Sequence, residues 1–326
     1  MTGPPAATTA LPTFSVVIEW DNMRRAQAAR TRAMLAALAG QLRDVAPDVG
    51  ETPLLVIVFD PAEAAERDVI AIVGSALADP STAEVTYVAA PGLGYYEMKN
   101  RGALHCRGDL IVFLDSDVTP QAGWLRRLLA SFADPRVAMA AGATAMATDT
   151  FLGRAFALFW FFPLPSQGDR LLETTEIFAN NMAVRRPLFL AQPFPDQTTY
   201  RGQCVTLVRR MRAAGHGVFL VEAARVSHPP PHGAAHFVQR ALRHGHDRYR
   251  DAVAEGRPPL KTCWRQNLAS LGEAWRRFSR HRGKIGLGLA GGIAALAVAG
   301  AYYALVMAGG LIGHWRPDLI PRRFAH

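Results

Sequence analysis

Apolar runs rich in β-branched and aromatic residues recur along the first two-thirds of the chain: FSVVIEW (14–20), LLVIVFD (54–60), VTYVA (85–89), LIVFLD (110–115), VAMAAG (137–142) and GVFLVEAARVSH (217–228). Helix-like stretches separate the early ones, over 23–43, 62–78 and 97–106, with a shorter one at Gly123–Phe132. Strands alternating with helices predict an α/β fold whose sheet is mostly parallel, covered on both faces, with ligands bound beyond the carboxyl ends of the strands. The runs are continuous and not alternating, as strands covered on both sides require. NNMAVRRPLF (180–189) reads as one more strand entering a helix.

The last hydrophobic run is of another kind. From Ile285 to Gly313 the chain carries no charge, and a membrane-spanning helix needs about 20 apolar residues. One tilted spanning helix is expected; a buried core helix and a re-entrant hairpin breaking near Gly309 and Gly310 are the alternatives. The preceding RRFSRHRGK (276–284) outweighs the basic residues beyond the run, and cytoplasmic flanks collect lysine and arginine. The expectation is therefore a single-pass protein of the cell membrane with its large domain on the cytoplasmic side. The organisation expected is a tail (1–12), an α/β domain (13–250), a basic juxtamembrane segment (251–284), the span (285–313) and a short tail (314–326). MTGPPAATTALPT at the start has neither the basic nor the apolar region of a signal peptide.

Charge and cysteine content narrow the chemistry. The net charge is +9 from 36 basic and 27 acidic residues, and much of the excess lies between Arg201 and Arg282, which suits an anionic partner. Nothing in the pattern indicates nucleic acid as that partner. Cys106, Cys204 and Cys263 are far apart and lack C-x-x-C spacing, so neither a disulfide framework nor a zinc site is indicated. No P-loop and no dinucleotide fingerprint follows the first strand, and PGLGYY (91–96) contains only G-x-G.

What stands at the strand ends is acidic. The first run ends in Glu19, Trp20, Asp21 and Asn22, the second in Asp60, and the fourth in Asp115, Ser116 and Asp117. Parallel strands bring these exits to one rim. A divalent cation bridged by a carboxylate offsets diphosphate charge for binding and for departure. Asp115 and Asp117, one residue apart on an extended exit, can reach two parts of one ligand, the ribose side and the metal.

With these motifs in place the chain resembles a family 2 glycosyltransferase of the GT-A fold over residues 13 to 250. The resemblance is carried by FSVVIEWDN, by LLVIVFD and above all by NRGALHCRGDLIVFLDSD (100–117). It implies a Rossmann-like GT-A domain that moves a sugar, with inversion, from a nucleoside-diphosphate sugar to a lipid-linked or cell-envelope glycan acceptor, assisted by Mn²⁺ or Mg²⁺. Residue by residue it implies that Glu19, Asn22 and Asp60 contact the nucleoside, Lys99 and Asn100 the nucleotide side, and Asp115 and Asp117 the ribose, diphosphate and metal. Asn181 and Arg185 would touch substrate, and His228, at the end of ARVSH, would approach the metal. Pro229, Pro230 and Pro231 argue against joining His228 to His232, His236, His244 and His246 in a dedicated zinc site. HFVQRALRHGHDRYR (236–250) reads as a basic amphipathic helix.

The chain departs from the family at the catalytic base. The usual Glu-Asp pair at the start of a helix is replaced by Gln203 and Cys204. Asp196 may substitute as base, the acceptor may need none, or transfer may be lost; Glu222 is a weaker spare, and Cys204 would need a strongly lowered pKa to serve. A catalytically silent sugar-nucleotide-binding or partner-binding protein of the same fold is accordingly the alternative. A nucleotidyltransferase would need a basic loop after the first strand, where EWDN is acidic. FLGRAFALFWFFPLP (151–165) suits either a core or a membrane interface.

Overall fold

A computed structural model of the 326-residue chain describes residues 10–20, 28–77, 79, 81–196 and 202–320. Asn22 lies outside the described residues. The chain divides into two compact units: Met1–Ala143 with Gln167–Asp196 and Gln203–Ser227, and Thr144–Ser166 with Gln197–Gly202 and His228–His326.

The first unit is the expected α/β layer. Its strands in chain order are β1 (Phe14–Glu19), β2 (Leu54–Phe59), β3 (Glu84–Ala89), β4 (Leu110–Leu114), β5 (Thr119–Pro120), β6 (Val137–Met146), β7 (Leu171–Glu173), β8 (Asn181–Arg185) and β9 (Gly217–His228). They form one sheet in the order β3-β2-β1-β4-β8-β6-β9-β5, with β7 paired to β9. The four strands β3-β2-β1-β4 are mutually parallel, whereas β8 runs antiparallel to β4 and to β6. The parallel character expected of most of the sheet is thus confined to the half that carries the three acidic exits.

Helices α1 (Ala28–Val45), α2 (Glu66–Ala76), α3 (Tyr95–Ala103) and α4 (Trp124–Ala130) follow the early strands, and α6 (Arg186–Ala191) and α7 (Gln203–Ala213) follow later; α5 belongs to the second unit. Alternate residues of each strand feed two cores. Val16, Ile18, Ile57 and Val112 pack with Leu38 and Leu42 of α1, while Val17, Val58 and Phe113 pack with Met98 of α3 and Leu207 of α7. This double burial explains why the strands read as unbroken apolar runs. Helix α3 approaches so closely that a Cβ on Gly102 would stand 2.6 Å from Val17 Cγ1 and 2.8 Å from Val58 Cγ2.

The second unit is helical: α5 (Phe151–Phe159), α8 (Gly233–Ala254), α9 (Pro259–His281) and α10 (Leu289–Trp315). An aromatic cluster centres it. Phe156, Phe159 and Trp160 meet Tyr302 at ring separations of 5.8, 5.4 and 5.4 Å, and Phe237 meets it at 5.5 Å. Phe156, Phe159, Trp160 and Phe162 of the aromatic stretch are buried in this core, while Phe151 and Phe161 are exposed. These contacts draw 151–162 and the helix over 233–254 out of the α/β domain expected for them and into a common unit with the C-terminal helices. Arg277 of α9 donates from Nη1 to the carbonyls of Ala157, Trp160 and Phe162 at 3.3, 3.0 and 2.9 Å, closing the open end of α5.

Helix α10 is the one helix among the described residues long and apolar enough to cross a membrane. It continues without interruption through Gly309 and Gly310, so no hairpin breaks there. Its later half lies hard against α8: a Cβ on Gly245 would strike the Val306 carbonyl, and one on Gly309 the Leu242 carbonyl. Among the described residues no group of three or more His, Cys, Asp or Glu is arranged to hold a metal; His244 faces the Tyr302 hydroxyl at 3.3 Å and His246 faces the Pro317 carbonyl at 3.0 Å.

Replacing Gly102 with alanine should overpack the α3–sheet contact and cost about 1–3 kcal/mol. Urea denaturation of the purified variant should show this as a lower midpoint at unchanged slope.

Candidate active site

The rim of the parallel half gathers the acidic strand exits around a buried cation. Lys99, on α3, is fully buried and donates from Nζ to Glu19 Oε2 at 2.6 Å and to Asp115 Oδ1 at 2.8 Å. Tyr95, one helical turn earlier, donates its hydroxyl to Asp115 Oδ1 at 2.8 Å. One ammonium thereby ties the ends of β1 and β4 to α3. Two carboxylates face one ammonium in a desolvated space, and the balance appears in their protonation. Burial, reinforced by the neighbouring Asp115, pushes the Glu19 carboxyl well above its ordinary range. Burial works against the Lys99 charge, yet Asp115 and Glu19 outweigh it and hold its pKa above the usual lysine value. Burial and Asp115 also raise the Tyr95 hydroxyl, which stays a donor.

Asp60, at the exit of β2, has a separate task. Its Oδ1 accepts from the Ala62 amide and its Oδ2 from the Gly92 amide, both at 2.8 Å, so it fastens the loop that leads into α3. Gly92 stands at φ 70°, a left-handed conformation that suits glycine.

The two aspartates of the D-S-D sequence differ sharply. Asp115 is buried and spent on Lys99 and Tyr95. Asp117 is half-buried, and its Oδ1 is sheltered from solvent without a hydrogen-bond partner among the described residues. The Ser116 hydroxyl between them is likewise buried and unpartnered there. The strand exit is held by the Asp115 amide, which donates to the Asn180 carbonyl at 3.1 Å. Asp117 therefore keeps an unsatisfied carboxylate oxygen of the kind a cation would satisfy. Among the described residues no group of three or more metal ligands surrounds it, which matches a small divalent ion that keeps waters and draws its other ligands from substrate phosphates. The residues fit a metal shared with a diphosphate and do not fit one held by the protein alone.

Several residues proposed from the sequence take other positions. Glu19 and Lys99 are fully buried and engaged with each other, so they brace the site from beneath and do not present groups to a nucleoside. Asn100 clamps the Phe194 backbone, donating from Nδ2 to its carbonyl at 2.8 Å and accepting from its amide at 3.1 Å. Asn181 pairs with Leu114 at the rim end of β4, but its buried side chain accepts from Trp124 Nε1. Arg185 pairs with Leu110, at the far end of the same strand, and donates to the Val137 and Phe132 carbonyls. It lines a 790 Å³ cavity there with Asp109 and Arg186. A substrate contact from Arg185 is incompatible with that placement, because β4 runs its full length between it and Asp115.

The base candidates separate as well. Cys204 opens α7 beside Tyr96, and burial raises its thiol above the usual value, which removes the thiolate a base would need. Glu222 is bound by Arg170 at 3.0 Å, and that hydrogen bond lowers its pKa. Asp196 is exposed, two residues beyond the Phe194 clamp. His228 closes β9 and belongs to the second unit, where its ring packs on Phe162 at 5.0 Å and its Nδ1 lies 2.7 Å from the Pro229 carbonyl. Tyr95 and Ser116 were not singled out in the sequence; an aromatic residue opening the helix after a Gly-rich turn was the only signal for the first.

Comparison with known proteins gives three likenesses. Residues 69–189 match the family model described as "Glycosyl transferase family 2". A 43-residue stretch is 54% identical to the "Pre-mycofactocin glycosyltransferase" of Mycobacterium tuberculosis, in strain CDC 1551 / Oshkosh and in strain H37Rv alike. That stretch is 13% of this chain and only 9% of the mycobacterial protein. Among solved structures, "Mannosyltransferase PcManGT from Pyrobaculum calidifontis in complex with GDP-Man and Mn2+" superposes with a TM-score of 0.57 at 15% identity, covering 94% of this chain and 88% of the archaeal one.

Removing the buried cation should be severe: Lys99→Met leaves the buried Asp115 and Glu19 without their shared donor and is expected to cost about 3–5 kcal/mol, read by urea denaturation. Glu19→Gln should act through pH. With its pKa raised above 4.5, native Glu19 keeps a proton that the unfolded chain loses, so wild-type stability falls as pH rises from that value toward neutrality. The glutamine variant lacks this loss. Melting temperatures of the two proteins should therefore diverge in favour of Glu19→Gln as pH rises from the ordinary glutamate range to neutral, and a difference independent of pH would refute the assignment.

Proposed function

We propose that the chain, whose residues 69–189 match the family 2 glycosyltransferase model and whose fold is like that of a solved mannosyltransferase, transfers a sugar from a nucleoside-diphosphate donor, with inversion, to a lipid-linked or cell-envelope glycan acceptor. The observation that carries this reading is the unsatisfied Asp117 carboxylate oxygen at the rim, set beside an Asp115 fixed by Lys99 and Tyr95. A divalent cation at Asp117 would offset charge on the departing diphosphate. Asp60 and the loop it fastens border the donor side, and the Asp115 cluster keeps the D-S-D turn in one geometry before ligand arrives. Such preorganisation lets a site act on developing charge without reorganising.

For the base we propose Asp196. It is exposed and precedes α7 in the chain, and the Asn100 clamp on Phe194 sets where its segment begins. Attack by the acceptor oxygen on the face opposite the diphosphate would then be assisted by proton transfer to Asp196, a step worth about 10²–10⁴-fold. The replacement of the usual acid pair by Gln203 and Cys204 supports a second reading, a protein that binds the nucleotide sugar without turnover.

Two measurements decide between them. The archaeal protein of like fold is described with GDP-Man and Mn²⁺, which makes GDP and UDP with Mn²⁺ or Mg²⁺ the first probes. Nucleotide at about 100 times its Kd should stabilise the wild type by about 2.7 kcal/mol; the metal-dependent part of that shift should disappear in Asp117→Ala, and no shift with any nucleoside diphosphate would refute the proposal. Asp196→Asn should bind nucleotide normally and lose about 10²-fold or more in kcat. Unchanged kcat removes Asp196 as the base, and wild-type binding with no hydrolysis or transfer favours the silent binder.

A further inference from the structure

We infer that the second unit seats on an anionic lipid surface through one face of α9, with that helix lying in the plane of the interface. Trp264, Leu268 and Trp275 are 55%, 51% and 58% exposed. Their spacings of four and seven place them on one stripe of the helix, with half-buried Leu271 between. Cys263, Asn267, Ala274 and Phe278 are buried on the other side, so the core already fixes the rotation that turns the stripe outward. Folding of the unit gains nothing from leaving two tryptophans in water. Indole rings settle at the headgroup level of a bilayer, where one edge is apolar and the other can donate a hydrogen bond.

Charge on the same helix selects the kind of surface. Lys261 and Arg265 are exposed beside the apolar stripe, and Arg280 is exposed further round the helix. Glu273, the acidic residue of α9, is held by Arg276 at 2.7 Å and Arg277 at 3.1 Å. An apolar edge flanked by lysine and arginine is the pattern of helices that lie in an anionic interface, where each basic residue near the surface adds about 1 kcal/mol. The patch continues past Arg282 and Lys284 into the first turns of α10, whose Leu289 and Ile293 are also largely exposed.

The packing of α10 supports an in-plane seat over a span. Its Val306–Gly313 segment is covered by Leu242, Gly245, His246 and Tyr249 of α8, a helix that also carries Arg240, Arg243, Arg248 and Arg250. A bilayer-crossing α10 would draw that companion and its arginines into hydrocarbon. This seat bears on the lipid-linked acceptor of the proposed function, on which it builds, but is measured apart from it.

The test is flotation of the full-length protein with vesicles of phosphatidylcholine alone or with about one phosphatidylglycerol in three lipids. Wild type should float with the anionic vesicles only, with a blue shift in tryptophan emission, and should be released by high salt or alkaline carbonate. Trp264→Ser with Trp275→Ser should lower the partition by about tenfold or more, and Arg265→Glu with Arg280→Glu should abolish the preference for phosphatidylglycerol. Flotation of the tryptophan variant equal to wild type, retention through carbonate, or indifference to anionic lipid would each overturn the inference. So would light scattering that shows a wild-type dimer converted to monomer by the tryptophan substitutions, since the stripe would then serve a second copy. Melting temperature and the nucleotide-dependent shift, measured on the same preparations, report folding and donor binding separately; loss of the shift with flotation intact would count against the donor reading alone.

Discussion

One buried ammonium organises the rim of the sheet. Lys99 reaches from α3 to Glu19 at the end of β1 and to Asp115 at the end of β4. Taking these charges out of water is costly, and their mutual attraction repays it only when geometry and further hydrogen bonds are good. Tyr95 supplies such a bond to Asp115. The outcome is specificity of position: α3 cannot slide along β1 and β2 without uncoupling the cluster, and Gly102 sets its depth against Val17 and Val58. Asp60 performs the same office for the loop before the helix. The rim is thus fixed from below, by groups engaged with one another.

That division of labour explains the difference between the two aspartates of the D-S-D turn. Asp115 is buried at its strand exit and answers to the interior. Asp117, two residues on, is only half-buried, and an oxygen there remains without a partner among the described residues. A turn that is rigid at its first carboxylate and unfilled at its second can receive a cation without rearranging. Preorganisation of this kind is what separates a catalytic carboxylate pair from an ordinary acidic loop.

Much of this was legible in the sequence, and the failures have a common cause. Strand runs and the acidic exits followed from local pattern, because doubly covered strands must be apolar along their whole length. The D-S-D pair was recognisable because it interrupts such a run. What the pattern could not convey was which polar groups look inward. Lys99 is separated from Glu19 by 80 residues, and its pairing exists only once α3 lies across β1. Asn181 and Arg185 read alike as substrate contacts, yet the antiparallel β8 puts them at opposite ends of β4. Likewise the uncharged C-terminal run reported its own hydropathy faithfully and said nothing of the arginine-bearing helix packed along it.

The guanidinium of Arg277 carries a further implication for the helical unit. By closing three carbonyls at the end of α5 it makes α9 a structural neighbour of the aromatic cluster as well as its outer wall. Detachment of α9 would strand those carbonyls and unroof the rings around Tyr302 in one event. Amide protons of the 151–162 segment and of α9 should then exchange with a shared opening free energy, as a single cooperative element whose lifetime is set by one side chain.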